Sequence, residues 1–386
     1  MDFELSDEQR EFQDAARAFA AGELAPHAAH WDAEAIFPVE TIAKAGEMGF
    51  CGLYTPQRWG GLGLSRQDAA IVFEELAGGC TSTTAYITIH NMATWMLSRW
   101  GQEALCDEWV PALAAGRKLA SYCLTEPQSG SDAASLRTRA VKEGDFYVLD
   151  GTKAFISGAG QTDMLIVMAR TGGEGAAGIS AFAVPANLPG IAYGKKEEKM
   201  GWNSQPTRII SFDQVKVPVG NLLGAEGEGF AIAMKGIDGG RINIAVCSVG
   251  TAQAALTRAQ AYMKERTQFG RELAQFQALQ FKLADMLTEL VAARQMVRLA
   301  AWKLDQESPD ATAYCAMAKR FATDVGFNVA NDALQLHGGY GYIREYPLER
   351  HVRDTRVHQI LEGTNEIMRL IVARAILKDG ATETLR

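Results

Sequence analysis

The stretch Tyr122–Asp132, YCLTEPQSGSD, divides this chain into two textures. Upstream, apolar residues recur at helical spacing. Ser6 and Gln9 form an S-x-x-Q capping box, and Phe12, Ala15, Ala16 and Phe19 follow on one face. Pro26 and Pro38 punctuate this region. TPQRWGGLGLS (Thr55 to Ser65) interrupts it before a second helical stretch, QDAAIVFEELAG. Downstream the apolar residues gather in short runs: FYVLD from 146, MLIVMA from 164, ISAFAVP from 179, RIISF from 208 and VKVP from 215. Turn signals separate them, among them Asp150-Gly151 and TGGEGAAG (Thr171 to Gly178). Short strands with tight turns predict a small antiparallel barrel or sandwich.

From about residue 230 the helical period returns. Leu279, Leu283, Met286, Leu287 and Leu290 mark one side of a long helix. Ser308-Pro309 is expected to restart a helix, with Ser as cap and Pro at the first helical position. Gly338-Gly339 is expected to end it. The fold class is therefore α+β in the order helices, strands, helices, with divisions 1–120, 121–230 and 231–386.

At roughly 100 to 200 residues per domain, 386 residues accommodate this division. A formal net charge of −8 argues against nucleic acid as the main partner. The six cysteines form no C-x-x-C pair and no metal-ligand spacing, so reduced, buried thiols and no metal are expected. The start, MDFELSDEQREF, lacks signal-peptide and transit-peptide character, and no apolar run is long enough to span a bilayer. A cytoplasmic location is expected, or a mitochondrial matrix in a eukaryote. No G-x-G-x-x-G opens a strand–turn–helix unit, and Walker, H-E-x-x-H and G-x-S-x-G motifs are absent, which excludes several common enzyme classes.

Six segments can carry chemistry. YCLTEPQSGSD offers backbone N–H groups and the Ser129 and Ser131 hydroxyls on an accessible loop. KAFISGAG (Lys153 to Gly160) ends a strand in Ser157. DGGRINIA (Asp238 to Ala245) is expected at the start of a long helix, where glycines let a ligand approach the backbone. ERTQFG (Glu265 to Gly270) presents Arg266, a candidate phosphate ligand on a helix surface. QLHGGYGY (Gln335 to Tyr342) has a double glycine able to admit a diphosphate. RVHQILEGTNEIMR (Arg356 to Arg369) places Glu362 after an apolar pair, where desolvation raises a carboxyl toward the range of a general base. Singly, each also reads as an ordinary turn, strand end, helix start or cap.

Together and in this order, the six segments resemble the acyl-CoA dehydrogenase family along essentially the whole chain. The strongest matches are YCLTEPQSGSD, RTQFG, QLHGGYGY and LEGTNE. The resemblance implies an N-terminal helical domain, a middle β domain and a C-terminal four-helix bundle. It also implies FAD as cofactor and α,β-dehydrogenation of an acyl-CoA thioester. Glu362 matches the base that takes the α-proton. Thr125 and Ser157 match residues bonded to the flavin ring, with Tyr122, Leu124, Gly130, Ser131 and Ile156 around them, and Phe155 stands where many relatives have Trp. Arg266, Gln268 and Phe269 match the FAD-phosphate segment, and Phe276 and Gln277 are further expected cofactor positions. Gln335, Leu336, Gly338 and Gly339 match the stretch that reaches FAD from a neighbouring subunit. Thr364, Asn365 and Glu366 follow the base as further cofactor positions. Ser131, Asp238, Gly239, Gly240, Arg241 and Arg374 match substrate contacts.

In some branches of the family the base lies just before the Arg of the third segment. Here that residue is Gly240, which leaves Glu362. KAFISGAG, GWNSQPTR (Gly201 to Arg208) and GGRINIA look like the isobutyryl-CoA dehydrogenase branch of valine breakdown. Short straight-chain and 2-methylbutyryl-CoA stay open as alternatives. The resemblance further implies an electron-transferring flavoprotein as acceptor and a homo-oligomer, usually a tetramer. An acyl-CoA oxidase is disfavoured by chain length. A non-enzymatic binding relative is disfavoured because Glu362 and the FAD segments are all present.

Overall fold

A computed structural model describes residues 4–378 and 385. The N-terminal helices are α1 Asp7–Phe19, α2 Ala28–Ala33, α3 Val39–Glu47, α4 Arg66–Gly79, α5 Thr81–Trp100 and α6 Glu103–Ala114. The Ser6 box forms as read: its side chain accepts from the Gln9 N–H, and the Gln9 side chain accepts from the Ser6 N–H. Ser65 and Asp68 build a second one at the head of α4. Helix α5 is buried along most of its length and passes beneath the first strand.

The strands are β1 Ala120–Cys123, β2 Arg139–Glu143, β3 Phe146–Ser157, β4 Met164–Arg170, β5 Ile179–Pro185, β6 Ile191–Tyr193, β7 Thr207–Pro218 and β8 Leu222–Leu223. They form one sheet in the order β6-β7-β3-β2-β4-β5-β8, with β1 alongside β4. Two features differ from the sequence reading. The sheet is antiparallel except where β1 and the first residue of β2 pair parallel with β4. RIISF and VKVP, read as two strands, are one strand, β7. It bends at Gln214 (φ 51°), whose N–H is held by Asp150 Oδ1 at 2.9 Å. Opposite that bend the β3 register shifts between Leu149 and Gly151, as a bulge does.

The long helices follow: α7 Gly229–Glu265, a hairpin of β9 Thr267–Gln268 and β10 Arg271–Glu272, α8 Gln277–Asp305 and α9 Ala311–His337. Then come α10 Gly339–Tyr342, α11 Leu348–Arg356 and α12 Asn365–Ile376. Helix α9 ends at Gly338 (φ 58°) as expected. It starts later than expected: Asp310, not Ser308, precedes its first residue, and Ser308 contributes its backbone carbonyl to Ala311. Helix α7 is the spine, packing on α4, α5, α8 and α9. Small residues make this close packing possible: Ala245, Ala252, Ala255 and Ala259 on α7 face Ala318, Ala322, Ala330 and Ala333 on α9 within one buried cluster. The six cysteines are all buried and unpaired. Among the described residues no helix is long and apolar enough to cross a membrane.

Candidate active site

Glu362 stands on the loop between α11 and α12, after a short 3-10 turn at Val357–Gln359. Both Glu362 (φ 54°) and Gly363 (φ 87°) lie in the left-handed region. Glycine is free there, but a glutamate is strained by about 1–3 kcal/mol and persists only when its surroundings over-determine it. The restraint on the far side is Thr364, whose hydroxyl accepts from the Ile367 N–H and caps α12. The Glu362 residue is partly accessible, yet its Oε2 is buried and has no hydrogen-bond partner in the chain. Burial pushes the carboxyl up to about 7, and the nearby Arg241 and Lys319 charges oppose that rise.

The DGGR segment is not at a helix start. Helix α7 begins at Gly229, so Asp238 to Arg241 lie in its interior. Interior glycines cost a helix ~1 kcal/mol each, and steric approach is the compensating reason here. A Cβ on Gly240 would fall 2.7 Å from Glu362 Oε2 and 3.1 Å from Met92 Sδ, and one on Gly239 would fall 2.5 Å from Arg66 Nη1. Gly240 thus makes the space the carboxylate occupies. Arg241 donates from Nη1 to Asp238 Oδ1 at 2.7 Å, and its Nε is buried without a partner. Asp238 is turned aside, since its Oδ2 accepts from Thr312 Oγ1 at 2.6 Å. Arg374 is exposed on the last turn of α12.

Beside Glu362 lies β1. The Tyr122 hydroxyl is buried and unpartnered, and burial together with the Glu362 charge raises its pKa. The following loop is fixed by a buried ion pair. Lys153 Nζ donates to Glu126 Oε1 at 2.7 Å and to the Leu124 carbonyl at 3.0 Å. The Glu126 carboxylate also accepts the Arg137 and Thr138 N–H groups. Thr125 is joined to β3 through Ala154 N–H, 2.9 Å from its carbonyl. Phe155 sits on the bulge between Lys153 and Ile156 with φ 58°, and its ring is 69% exposed, so it is presented outward rather than packed. Leu124 and Ile156 send their side chains into the core, which leaves them only backbone to offer. Ser157 gives its carbonyl to Ser121 Oγ at 2.6 Å. Gly130 and Ser131 are exposed, whereas Ser129 is buried and spends its hydroxyl on the Asp132 carbonyl.

A second group of expected residues lies elsewhere. Arg266 is not on a helix surface but caps the C-terminus of α7. With Gln268, Gln335, Leu336, Gly338 and Gly339 it lines a cleft of about 510 Å³ that also includes Tyr262 and Tyr340. Phe269 is outside this cleft. It forms the tip of the β9–β10 hairpin at φ 54° and is 94% exposed, with its ring edge toward Phe276 at the head of α8. Gln277 is the first residue of α8. Along α7, Arg266 is 26 residues beyond Gly240, or about 39 Å at 1.5 Å per residue. The expected cofactor residues therefore form two separate clusters in one chain.

Sequence reasoning missed several residues here. Met92 and Arg66 reach the DGGR glycines. Arg66 stacks on Tyr54 at 3.6 Å, and Tyr54 accepts from Asn243 Nδ2 at 3.3 Å. Lys319, fully buried on α9, donates to the Gly363 carbonyl and to Asn365 Oδ1. The Asn365 amide also serves Thr323 and Asp324, so its side chain is committed within the protein, while Glu366 is exposed. The apolar-face pattern of α9 gave no sign that one buried position would hold a cation.

The donor sets fit a flavin dinucleotide. The exposed Phe155 ring can stack on a ring system, the neighbouring Tyr122 hydroxyl and Glu362 carboxylate are buried and unpartnered, and a guanidinium, an amide and two glycines line a cleft suited to a diphosphate. The family models described as acyl-CoA dehydrogenase N-terminal, middle and C-terminal domains match residues 6–117, 121–215 and 227–377. Isobutyryl-CoA dehydrogenase, mitochondrial, of Bos taurus is 55% identical over 97% of this chain and 90% of its own. The enzyme of the same name from Dictyostelium discoideum is 52% identical over the same shares. Butyryl-CoA dehydrogenase from Megasphaera elsdenii superposes with a TM-score of 0.95 at 40% identity, covering 98% of this chain and 100% of that one. Matched in all three parts, this chain belongs to the acyl-CoA dehydrogenase family, oxidoreductases that use FAD.

Proposed function

We propose that this protein dehydrogenates a short branched acyl-CoA, isobutyryl-CoA to methacrylyl-CoA, with Glu362 as the general base. The observation that carries the assignment of the base is the buried, unpartnered Glu362 Oε2, seated against Gly240. A carboxylate whose pKa stands at about 7 is basic enough to accept a proton and still about half ionised at neutral pH. The α-C–H is a weak acid, so the thioester oxygen must be stabilised as charge develops. By the family resemblance, the Glu362 backbone N–H is one donor to that oxygen. FAD, when bound, supplies the acceptor for the β-hydride. Thr125, Phe155 and Ser157 are assigned to hold its ring, and Arg241 to assist the substrate side. Gly240 offers no second base.

The preference for isobutyryl-CoA is supported by the 55% and 52% identical relatives of that name and by the GWNSQPTR and GGRINIA runs. Butyryl-CoA and 2-methylbutyryl-CoA are the nearest alternatives, because one methylene changes discrimination only modestly. The 39 Å span along α7 supports an oligomer: the Arg266–Gln335 cleft lies too far from its own Glu362 to hold the diphosphate of the same FAD, so it serves a neighbouring copy. Gln335 to Gly339 and Arg266 then act together, from the same neighbour. We assign a homotetramer and an electron-transferring flavoprotein as acceptor by the same resemblance.

The test is Glu362→Gln, mixed anaerobically with excess isobutyryl-CoA. Gln preserves shape and the backbone N–H but cannot take the proton. Flavin bleaching is expected to slow by ~100-fold to 10,000-fold or more, with the FAD and its binding-induced spectral change retained. Rapid bleaching would show that another group is the base. A parallel acyl-CoA panel tests the substrate: isobutyryl-CoA is expected to give the highest kcat/KM and octanoyl-CoA a low one. A maximum at octanoyl-CoA or isovaleryl-CoA would overturn the isobutyryl assignment.

A further inference from the structure

The loop that carries Glu362 is gripped by a single buried cation. Lys319 lies in the first third of α9 and its side chain is fully buried. Its Nζ donates to the Gly363 carbonyl at 2.8 Å and to Asn365 Oδ1 at 2.9 Å. These acceptors flank the base on its C-terminal side: Gly363 completes the left-handed pair with Glu362, and Asn365 opens α12. Asn365 is itself anchored back to α9, donating to Asp324 Oδ1 at 2.8 Å and Thr323 Oγ1 at 3.0 Å.

A lysine is a costly choice for this grip. Burying an ammonium is unfavourable unless it is compensated, and burial pushes Lys319 down to about 7. Both of its hydrogen-bond acceptors are neutral, so a neutral amide donor could supply part of the same grip. What the lysine adds is charge, carried as pH falls through about 7 where Glu362 takes up its proton, and the carboxylate it attracts is Glu362. Other groups also face Glu362: Arg241 from α7, Tyr122 from β1 and Tyr54 from the turn before α4. Of the two cations, Arg241 is already committed to Asp238 at 2.7 Å. Asp324 and Glu366 act on Lys319 from its own helix and from α12.

We propose that Lys319 is a positioning residue for the base: by holding the carbonyl of the Gly363–Thr364 peptide it clamps the left-handed Glu362–Gly363 turn, and it supplies the counter-charge that lets Glu362 ionise in the pocket. This rests on the reading of Glu362 as base. Lys319 touches neither substrate nor cofactor in this role and acts only through the loop.

The experiment compares Lys319→Gln, Lys319→Met and Lys319→Arg as purified FAD-loaded proteins. The rate of anaerobic flavin bleaching by isobutyryl-CoA is measured from pH 5.5 to 9, with KM from steady-state turnover. Gln keeps a donor but loses the charge, Met loses both, and Arg keeps both. In the Gln and Met variants the acid limb of the profile is expected to move up by about one pH unit, since a nearby opposite charge shifts a pKa by ~1–3. Below pH 6 that shift alone slows bleaching about tenfold. The Met variant is expected to stay slower than Gln at pH 9, where ionisation no longer limits, because its loop is unclamped. FAD content and KM are expected within about threefold of the parent, and Arg is expected to restore the limb to its original position.

An unmoved limb in the Gln variant would overturn the electrostatic half, and equal rates for Gln and Met at pH 9 would overturn the clamp. If kcat falls only as KM rises or FAD is lost, the lysine supports the fold generally and the proposal fails. It fails in the same way if neither Gln nor Met folds. A fast Glu362→Gln variant would instead overturn the base assignment itself, which a normal Lys319→Gln profile beside an inactive Glu362→Gln would leave intact.

Discussion

Glu362 shows how one residue carries both strain and chemistry. Its left-handed φ and its unpartnered Oε2 both lower stability, and both suit the general base proposed for it. The sign of its pH linkage follows. The folded carboxyl titrates at about 7 against an ordinary 4.5, so the folded state binds more protons than the unfolded one between these values. Stability therefore falls as pH rises through that window, while activity needs the ionised form and falls as pH drops through about 7. Glu362→Gln is expected to raise Tm relative to the parent at pH 8, with the gap closing by pH 5. Differential scanning fluorimetry at the two pH values checks this, and an equal gap at both would contradict the buried-carboxylate account. At the neighbouring position, Gly240→Ala is expected to lower kcat at least tenfold, because its Cβ would fall 2.7 Å from Oε2. Steady-state kinetics with isobutyryl-CoA checks it.

The elements around the site are tied by buried polar chains. Trp202, in the loop before β7, donates from Nε1 to His358 Nε2 at 3.2 Å. That leaves Nδ1 of His358 to donate to Ser248 Oγ at 2.6 Å, and Ser248 passes its own proton to the Ile244 carbonyl on α7. Burial pushes His358 down to about 3, so it stays neutral and keeps this tautomer across the working pH range. The chain links the loop before β7, the segment leading to Glu362, and α7. Trp202→Phe leaves the His358 acceptor unsatisfied and is expected to cost about 1–3 kcal/mol. Chemical denaturation should show this as a lower midpoint. In the β layer, the fully buried Lys153–Glu126 pair fixes the Thr125 loop. Lys153→Met would strand the Glu126 charge and is expected to cost about 3–5 kcal/mol, with loss of FAD, read by the flavin absorbance of the purified protein.

At the scale of the whole molecule, the two clusters at either end of the α7 span predict complementation. Arg266→Ala removes a charge-assisted phosphate contact and is expected to weaken FAD retention. Glu362→Gln removes the base. When the two impaired variants are co-expressed, the proposed arrangement would let one site in a mixed pair combine Glu362 from one chain with Arg266 from the other. Activity is therefore expected to return to about a quarter of the parent's under random pairing. Mixed oligomers without activity would place both residues in the same chain's site. The surface agrees with association through this end: Phe269, Phe281 and Tyr342 are large, exposed and apolar or aromatic.

Local pattern was enough for much of this protein. The helix–strand–helix order, the Ser6 box, the Gly338 stop, and a carboxylate raised by its apolar surroundings at Glu362 were all legible, because each depends on periodicity or on a few adjacent residues. Tertiary structure decided what depends on residues far apart in the chain. Asp238 to Arg241 look like a helix start because paired glycines usually break helices, yet Gly240 lies inside α7 to make room for Glu362, a segment more than a hundred residues later. RIISF and VKVP look like two strands because Asp213 and Gln214 interrupt the apolar run, yet pairing with β3 carries one strand through a bulge. Lys319 sits in a helix whose pattern describes only which face is buried. That a buried position needs a cation is set by the loop packed against it, and no spacing within α9 encodes that loop.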